Sequence, residues 1–220
     1  MRKIFISATN TDVGKTYTTL KLIKSFSKRG LKVGVCKPIE TGVIDYPVDA
    51  TMLINECKKT NKNFELLSPF DITAYTFSLP SAPFCADIER IIKIEKILEK
   101  IDELSNLCDI LLVEGAGGLF VPINDNYNMI DLAEDIGAYT LLVTPSRLGC
   151  INDTLLSIEA LKSRSLDYDW CVNLYQDIDS FDEVTKPYYD LVVKKWWSVD
   201  NGLDNFVDNY LSSIISASFI

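Results

Sequence analysis

An α/β fold, built as three layers with a mainly parallel central sheet flanked by helices, is what this sequence of 220 residues predicts. Two observations carry that reading. Short apolar runs of strand length alternate with longer stretches whose apolar residues recur every three or four positions. Alternation of this kind places successive strands side by side in one parallel sheet and its helices on both faces. Composition agrees: hydrophobic residues make up 47% and charged residues 24%, ordinary globular values. A chain of this length forms one domain over 1–220 and buries roughly 70% of its unfolded surface.

Taken in order, Lys3–Ser7 reads as a buried strand and Lys15–Lys28 as the helix after it. Leu31–Lys37, rich in Val, is a second strand, and a short helix follows over Ala50–Lys59. Ser68–Pro83 is turn-rich, with Pro69, Pro80 and Pro83. Ile91, Ile94, Leu98, Ile101 and Leu104 recur at helical spacing and mark an amphipathic helix over about 88–107. Ile110–Glu114 and Thr140–Thr144 are strands, Ile151–Lys162 is a helix, Tyr168–Asn173 another strand and Asp204–Ile215 a terminal helix. Parallel sheets hold their ligands beyond the carboxyl ends of the strands, which directs attention to residues 8–16, 37–42, 114–118 and 144–152.

Several chemistries are excluded at once. The chain contains no histidine, which removes Ser-His-Asp and Cys-His catalysis and His-ligated zinc. A net charge of −9 argues against a nucleic-acid or anionic-membrane surface, because affinity for such polyanions comes from clustered Lys and Arg. The six cysteines, Cys36, Cys57, Cys85, Cys108, Cys150 and Cys171, are widely spaced, without C-x-x-C, and read as buried reduced thiols. The N-terminus lacks the apolar core of a signal peptide, and no apolar stretch approaches the ~18 residues of a membrane span. A cytoplasmic protein is expected.

Between the first strand and first helix runs Ser7-Ala-Thr-Asn-Thr-Asp-Val-Gly-Lys-Thr16, whose end, Gly14-Lys15-Thr16, is the core of a phosphate-binding Walker A loop. Gly14 would let the backbone close around phosphate oxygens, and successive N–H groups with the helix N-terminus would hold the anion. Lys15 would reach the β- and γ-phosphates, and the Thr16 hydroxyl would ligate Mg²⁺. A bare G-K-T is also compatible with an ordinary helix start, but the strand before it and the helix after it favour phosphate. A second requirement of such sites is a carboxylate at a strand tip. Asp109-Ile-Leu-Leu-Val-Glu114 supplies it, followed by Gly115, Ala116 and Gly117, which allow close approach of a ligand; the alternative is a solvated loop acid. Lys37-Pro-Ile-Glu-Thr41-Gly42 is a further strand end on the same rim. Lys37 would neutralise charge on a transferring phosphoryl group, or else merely close a strand, and Thr41 offers a hydroxyl. Asp49 by itself reads as a helix-initiating cap.

Together these segments resemble the dethiobiotin synthetase family. Its phosphate loop appears as Ala8-Thr-Asn-Thr-Asp-Val-Gly-Lys-Thr16, its K-P-x-x-[ST]-G as Lys37–Gly42, and its Y-T-F-x-x-P-x-x-P as Tyr75–Pro83. Its V-E-G-A-G-G is intact as Val113–Gly118 and its L-G-C-I-N as Leu148–Asn152. The resemblance implies a P-loop NTPase-like fold and a cytoplasmic homodimer that uses ATP and Mg²⁺. It implies 7,8-diaminopelargonate and CO₂ or bicarbonate as the other substrates. One amine captures CO₂ as a carbamate, a carbamate oxygen attacks the γ-phosphate, and the second amine closes a cyclic urea. By the same resemblance Thr16, Asp49 and Glu114 are metal ligands, and Lys15 and Lys37 stabilise carbamate and γ-phosphate. Thr11 and Thr41 contact substrate, and Asp12–Thr16 with Glu114–Gly117 hold ATP. The helix start Gly149, Cys150, Ile151 and Asn152 receives the substrate carboxylate from the neighbouring subunit, and capping by Asn152 is compatible with that role.

The chain also departs from the family pattern. Ala8 replaces glycine, so the backbone there must avoid positive φ, and Asn10 replaces aspartate. Trp170-Cys-Val-Asn173 matches the strand that reads adenine, but Leu174 follows it, and Trp196-Trp197-Ser-Val-Asp200 stands where a G-x-[IL]-P segment is expected. Asn173 is then expected to touch the base with weak discrimination between nucleotides, and Tyr188 or Tyr189 to meet the substrate tail. Two rival classes share parts of this pattern. ParA/MinD-like partition ATPases carry a signature lysine five residues before the Walker lysine, where this chain has Asn10. Cobyrinate-type amidating synthetases carry a glutamine-hydrolysing domain, for which this chain has neither the length nor a histidine.

Overall fold

The computed structural model describes residues 2–193 and 195–217, with side chains as far as residue 213. The chain opens with β1 (Arg2–Ala8), α1 (Lys15–Lys28), β2 (Val33–Cys36), β3 (Ile39–Thr41) and α2 (Val48–Lys58). β4 (Tyr75–Phe77), α3 (Pro83–Ala86), α4 (Ile94–Ser105), β5 (Ile110–Gly118), β6 (Pro122–Asn124), β7 (Tyr127–Asn128) and α5 (Met129–Asp135) follow. The last third holds β8 (Tyr139–Pro145), α6 (Cys150–Ser163) and β9 (Tyr168–Asn173). Two short helical turns, α7 (Ile178–Ser180) and α8 (Lys186–Tyr188), alternate with wider π-type turns before α9 (Val199–Ala217).

Five strands form one sheet in the order β2-β5-β1-β8-β9, every pair parallel. β1 is central, with Ile4 opposite Leu112 on one side and Tyr139 on the other. Burial alternates with the two-residue period of a strand on the β8–β9 side. Leu141, Val143 and Cys171 join the larger core, shared with α1, α2, α4 and α9. Leu142, Trp170 and Val172 join the smaller core on the opposite face, with Ile158 and Leu161 of α6 and with Phe181 and Tyr189. This is the three-layer arrangement expected from the sequence.

Some elements differ from the sequence reading, each for a visible reason. The fourth helix starts at Ile94 instead of about 88, because the Asp87 carboxylate accepts from the backbone N–H groups of Ile91 and Ile92 at 2.9 and 2.8 Å and Arg90 turns the chain with φ 54°. Ile91 is consequently exposed, and the buried seam is Ile97, Ile101 and Leu104. The last helix starts at Val199, five residues before the expected Asp204, and lies along α1. There Asp200, Asp204 and Asp208 meet Lys21, Ser25 and Arg29, both sets spaced by four so that they share one helix face. The six cysteines are free; Cys36, Cys57, Cys150 and Cys171 are buried as expected, whereas Cys85 is exposed and Cys108 half-buried. Among the described residues, no helix is long and apolar enough to cross a membrane.

The register between β1 and β5 bears on the site. Ile6 pairs with Glu114, but Ala8 pairs with Gly118, so β5 spends three intervening residues where β1 spends one. Gly115, Ala116 and Gly117 therefore arch over the end of β1, above the loop that enters α1.

Candidate active site

The loop after β1 is shaped by two left-handed residues, Asp12 at φ 57° and Gly14 at φ 103°. Ala8 stays within the strand, so its Cβ costs nothing there. The Asn10 carboxamide oxygen accepts from the Thr11 N–H at 2.8 Å, and the Asn10 carbonyl accepts from the Lys15 ammonium at 3.2 Å. Asn173, at the end of β9, donates its amide to the Val13 carbonyl at 3.0 Å, and the Tyr175 hydroxyl donates to the Asp12 carbonyl. The loop is thus held from β9 as well as by its own turns.

Three strands and the segments that follow them deliver charge to the same place. Glu114, fully buried midway along β5, which runs on to Gly118 instead of ending at Glu114, accepts on one oxygen from the Thr16 hydroxyl at 2.9 Å and the Lys37 ammonium at 2.8 Å. Its other oxygen lies 2.8 Å from the Thr19 hydroxyl. Lys37, one residue past β2, also lies 3.0 Å from Asp49 and 3.3 Å from the Gly115 carbonyl. Burial acts to strip the Lys37 proton, but the Glu114 and Asp49 carboxylates outweigh it and hold the ammonium well above its ordinary range. Burial likewise disfavours ionised Asp49, and Lys37 reverses this, leaving Asp49 below the usual carboxylate range. Lys15 has no such carboxylate in contact: burial first, then repulsion from Lys37, pull it down to about 8.

A cavity of about 590 Å³ opens here. Of the residues singled out from sequence, Thr11, Asp12, Gly14, Lys15, Thr16, Lys37, Thr41, Asp49, Ala116 and Gly117 line it. Glu114 lies just behind the wall, in contact through Thr16 and Lys37. Val13 and Asn173 brace the loop from its far side. Gly149, Cys150, Ile151 and Asn152 are not brought to this cavity; they start α6 at the end of β8, and the Cys150 side chain is fully buried. Tyr189 is fully buried in the smaller core, edge-on to Trp170, with its hydroxyl against Thr154 and the Cys150 thiol. Within the chain it has no path to a substrate tail, which corrects the expectation for that residue; Tyr188 is half-buried beside it.

Two contributors were missed from sequence. Glu40 accepts from the N–H groups of Asp49 and Ala50, both at 2.9 Å, and so caps the helix that carries Asp49. Thr19 braces Glu114 from one helical turn beyond Lys15. The signals were present: an acid inside Lys37–Gly42, and a hydroxyl on the buried face of α1. Pro80–Pro83 also line the cavity, facing the loop across it.

The donor set around Lys37 suits a hard divalent cation. Thr16, Asp49 and Glu114 present only oxygen, and the Lys37 ammonium already stands between the two carboxylates as a cation. Among the described residues no group of three or more His, Cys, Asp or Glu converges. Two carboxylates and a hydroxyl are a donor set that Mg²⁺ can use, its shell being completed by water and substrate phosphates.

Comparison with known proteins agrees with this geometry. Residues 2–169 match a sequence family described as an AAA domain. The chain is 60% identical over 206 residues to an ATP-dependent dethiobiotin synthetase from Sulfurovum sp., covering 94% of this chain and 98% of the relative. It is 38% identical over 217 residues to the one from Wolinella succinogenes, covering 97% and 100% respectively. Among solved structures, a plasmid partition protein from Borrelia burgdorferi superposes with TM-score 0.55 at 12% identity, covering 98% of each chain. The MinD-containing cell division complex of Aquifex aeolicus gives 0.54 at 18% identity, covering 95% of this chain and 86% of that one. The structural likeness at such low identity concerns the P-loop NTPase fold alone; by sequence, over nearly its whole length, the chain belongs to the family of ATP-dependent dethiobiotin synthetases.

Proposed function

We propose that the protein joins CO₂ to 7,8-diaminopelargonate at the expense of ATP and closes the ureido ring of dethiobiotin. The observation that carries this reading is the convergence of Lys15, Thr16, Lys37 and Asp49 on one cavity at the rim of the parallel sheet, with Glu114 just behind its wall in contact with Thr16 and Lys37. Chemistry of this kind needs no histidine. It needs two reactants held in line and the negative charge that gathers between them neutralised.

In the proposed sequence one amine of the substrate takes up CO₂ and loses a proton to give a carbamate. A carbamate oxygen attacks the γ-phosphorus, and the bond to ADP breaks. The second amine then attacks the carbamate carbon, expels phosphate and closes the ring. Lys15 would follow the β- and γ-phosphates, and Lys37 would stabilise charge between carbamate and γ-phosphate. The backbone of Asp12–Thr16 would cradle the phosphates, with Gly115–Gly117 arched above them. Thr11 and Thr41 would hold the diamine end. Mg²⁺, held by Thr16, Asp49 and Glu114, would supply charge neutralisation at the phosphate oxygens.

The start of α6 stands outside the cavity, and we assign Gly149–Asn152 to the cavity of a second copy in a two-fold homodimer. Backbone N–H groups at this helix start would bind the substrate carboxylate. Support comes from Leu148, just before the helix, and Leu156, in its second turn, 73% and 64% accessible, two apolar side chains that a partner would cover. We place the enzyme in the cytoplasm, where its six free cysteines would stay reduced.

Incubation with labelled bicarbonate, the diamine, ATP and Mg²⁺ tests the proposal. Labelled dethiobiotin, formed with equal ADP and phosphate, is the expected result. ATP hydrolysis that responds only to DNA or lipid, with no labelled product, would overturn it.

A further inference from the structure

The ammonium of Lys37 occupies a place that chemistry would give to a metal ion. It is 3% exposed, lies 2.8 Å from Glu114 and 3.0 Å from Asp49, and shares the Glu114 oxygen with the Thr16 hydroxyl. One oxygen of each carboxylate assigned above to Mg²⁺ is therefore already engaged with this one cation, and the Thr16 hydroxyl is tied to it through Glu114. Glu114 is fully buried, and a buried carboxylate deprived of its counter-ion is strongly destabilised. Lys37 thus neutralises the acidic pair as the protein folds.

We propose that Lys37 is the resident counter-ion of the metal site and that a divalent cation binds by exchange with it. The inference rests on Thr16, Asp49 and Glu114 being the metal site of the proposed function. Two cations packed against the same two carboxylate groups repel each other across a few ångströms of buried, weakly screening interior. A metal that takes Asp49 and Glu114 therefore displaces the ammonium. The ammonium then moves into the cavity that Lys37 lines together with Lys15, where anionic phosphate would be its new partner. Exchange makes metal binding weak when no phosphate is present to receive Lys37. It makes binding strong when a triphosphate is present. The same movement delivers the lysine to the reacting phosphoryl group at the moment the metal arrives. A single side chain then couples metal entry to readiness for phosphoryl transfer.

The test uses Mn²⁺ alone, with the full chain free of nucleotide, and counts bound metal by electron paramagnetic resonance. Lys37→Met removes the competing charge at similar length and is expected to bind Mn²⁺ at least about tenfold more tightly than the wild type. Lys37→Arg keeps the charge and is expected to stay within about threefold of the wild type. Equal or weaker binding by a folded Lys37→Met protein would overturn the exchange. A second measurement needs no substitution at Lys37. Saturating Mn²⁺ is expected to speed labelling of Lys37 by an amine-selective reagent, read by mass spectrometry, as the ammonium leaves its carboxylates. Unchanged labelling at saturation would overturn the proposal. Asp49→Asn separates the two levels of the argument: Mn²⁺ binding untouched by that change removes the metal site itself, whereas binding lost there but indifferent to Lys37→Met removes only the exchange.

Discussion

A Cβ on Gly14 would stand 2.0 Å from the side-chain amide nitrogen of Asn173, which itself donates to the Val13 carbonyl at 3.0 Å. The end of β9 thus meets the phosphate loop through one asparagine and one glycine. At φ 103° an alanine would also be strained by its own backbone. Gly14→Ala is expected to destabilise the protein by about 1–3 kcal/mol and to abolish measurable nucleotide binding. Adding Asn173→Ala removes the collision but leaves the strain, so the double variant should regain only part of the lost stability. Thermal unfolding and calorimetric nucleotide titration read both effects.

Glu40 invites a second prediction. Its two oxygens satisfy the N–H groups of Asp49 and Ala50, and its side chain is buried. Glu40→Ala leaves the start of α2 uncapped and frees Asp49 to shift from Lys37. A loss of about 1–3 kcal/mol in stability is expected, with turnover falling further than nucleotide affinity. A variant with wild-type turnover would reduce Glu40 to a structural cap.

Lys15 gives the pH dependence. Burial, and secondarily Lys37, pull its ammonium down to about 8, so the free protein loses that proton as pH rises through this value. A bound triphosphate needs the charge and restores the proton, which means binding takes up a proton above pH 8 and weakens as pH rises. The Kd for nucleotide should be about tenfold larger at pH 9 than at pH 7. Calorimetry in buffers of different ionisation enthalpy would register the proton uptake directly; pH-independent affinity would contradict the assignment.

The base end of the nucleotide site leads to a further expectation. The Asn173 amide is committed to the Val13 carbonyl, and Leu174, which follows it, packs against the smaller core and has no polar side chain to offer a purine. GTP is expected to support turnover within a few-fold of ATP. A strict ATP requirement would show that base-reading groups lie elsewhere.

How much of this was legible in the sequence follows from the kind of signal each part carries. The five strands of the parallel sheet and the helices α1 and α6 are written in period and burial, which act locally. Lys15 and Thr16 were readable from the Gly-Lys-Thr that opens α1, Lys37 from its place just past β2 and Glu114 from the apolar run it follows, all on the rim where the topology collects ligands. The helix over 88–107 was overextended, since nothing in its periodicity reveals that Asp87 would capture two backbone N–H groups and stop it from starting early. Residues 119–139 drew no expectation, although the Asn128 and Asp131 capping box before α5 is a local signal that was there to be used. Tyr189 was misjudged because its partners, Trp170, Thr154 and Cys150, lie far away in sequence. Glu40 failed to stand out for the same reason: a cap supplied from another segment is a tertiary fact.

The central claim, that a carbamate oxygen attacks the γ-phosphate in this cavity, is tested most directly by the fate of isotopic oxygen. With bicarbonate fully labelled with oxygen-18, the attacking oxygen stays on phosphorus when the second amine expels phosphate. The account predicts inorganic phosphate carrying one labelled oxygen for each dethiobiotin formed, as read by mass spectrometry. Phosphate free of label, with dethiobiotin still produced, would contradict it.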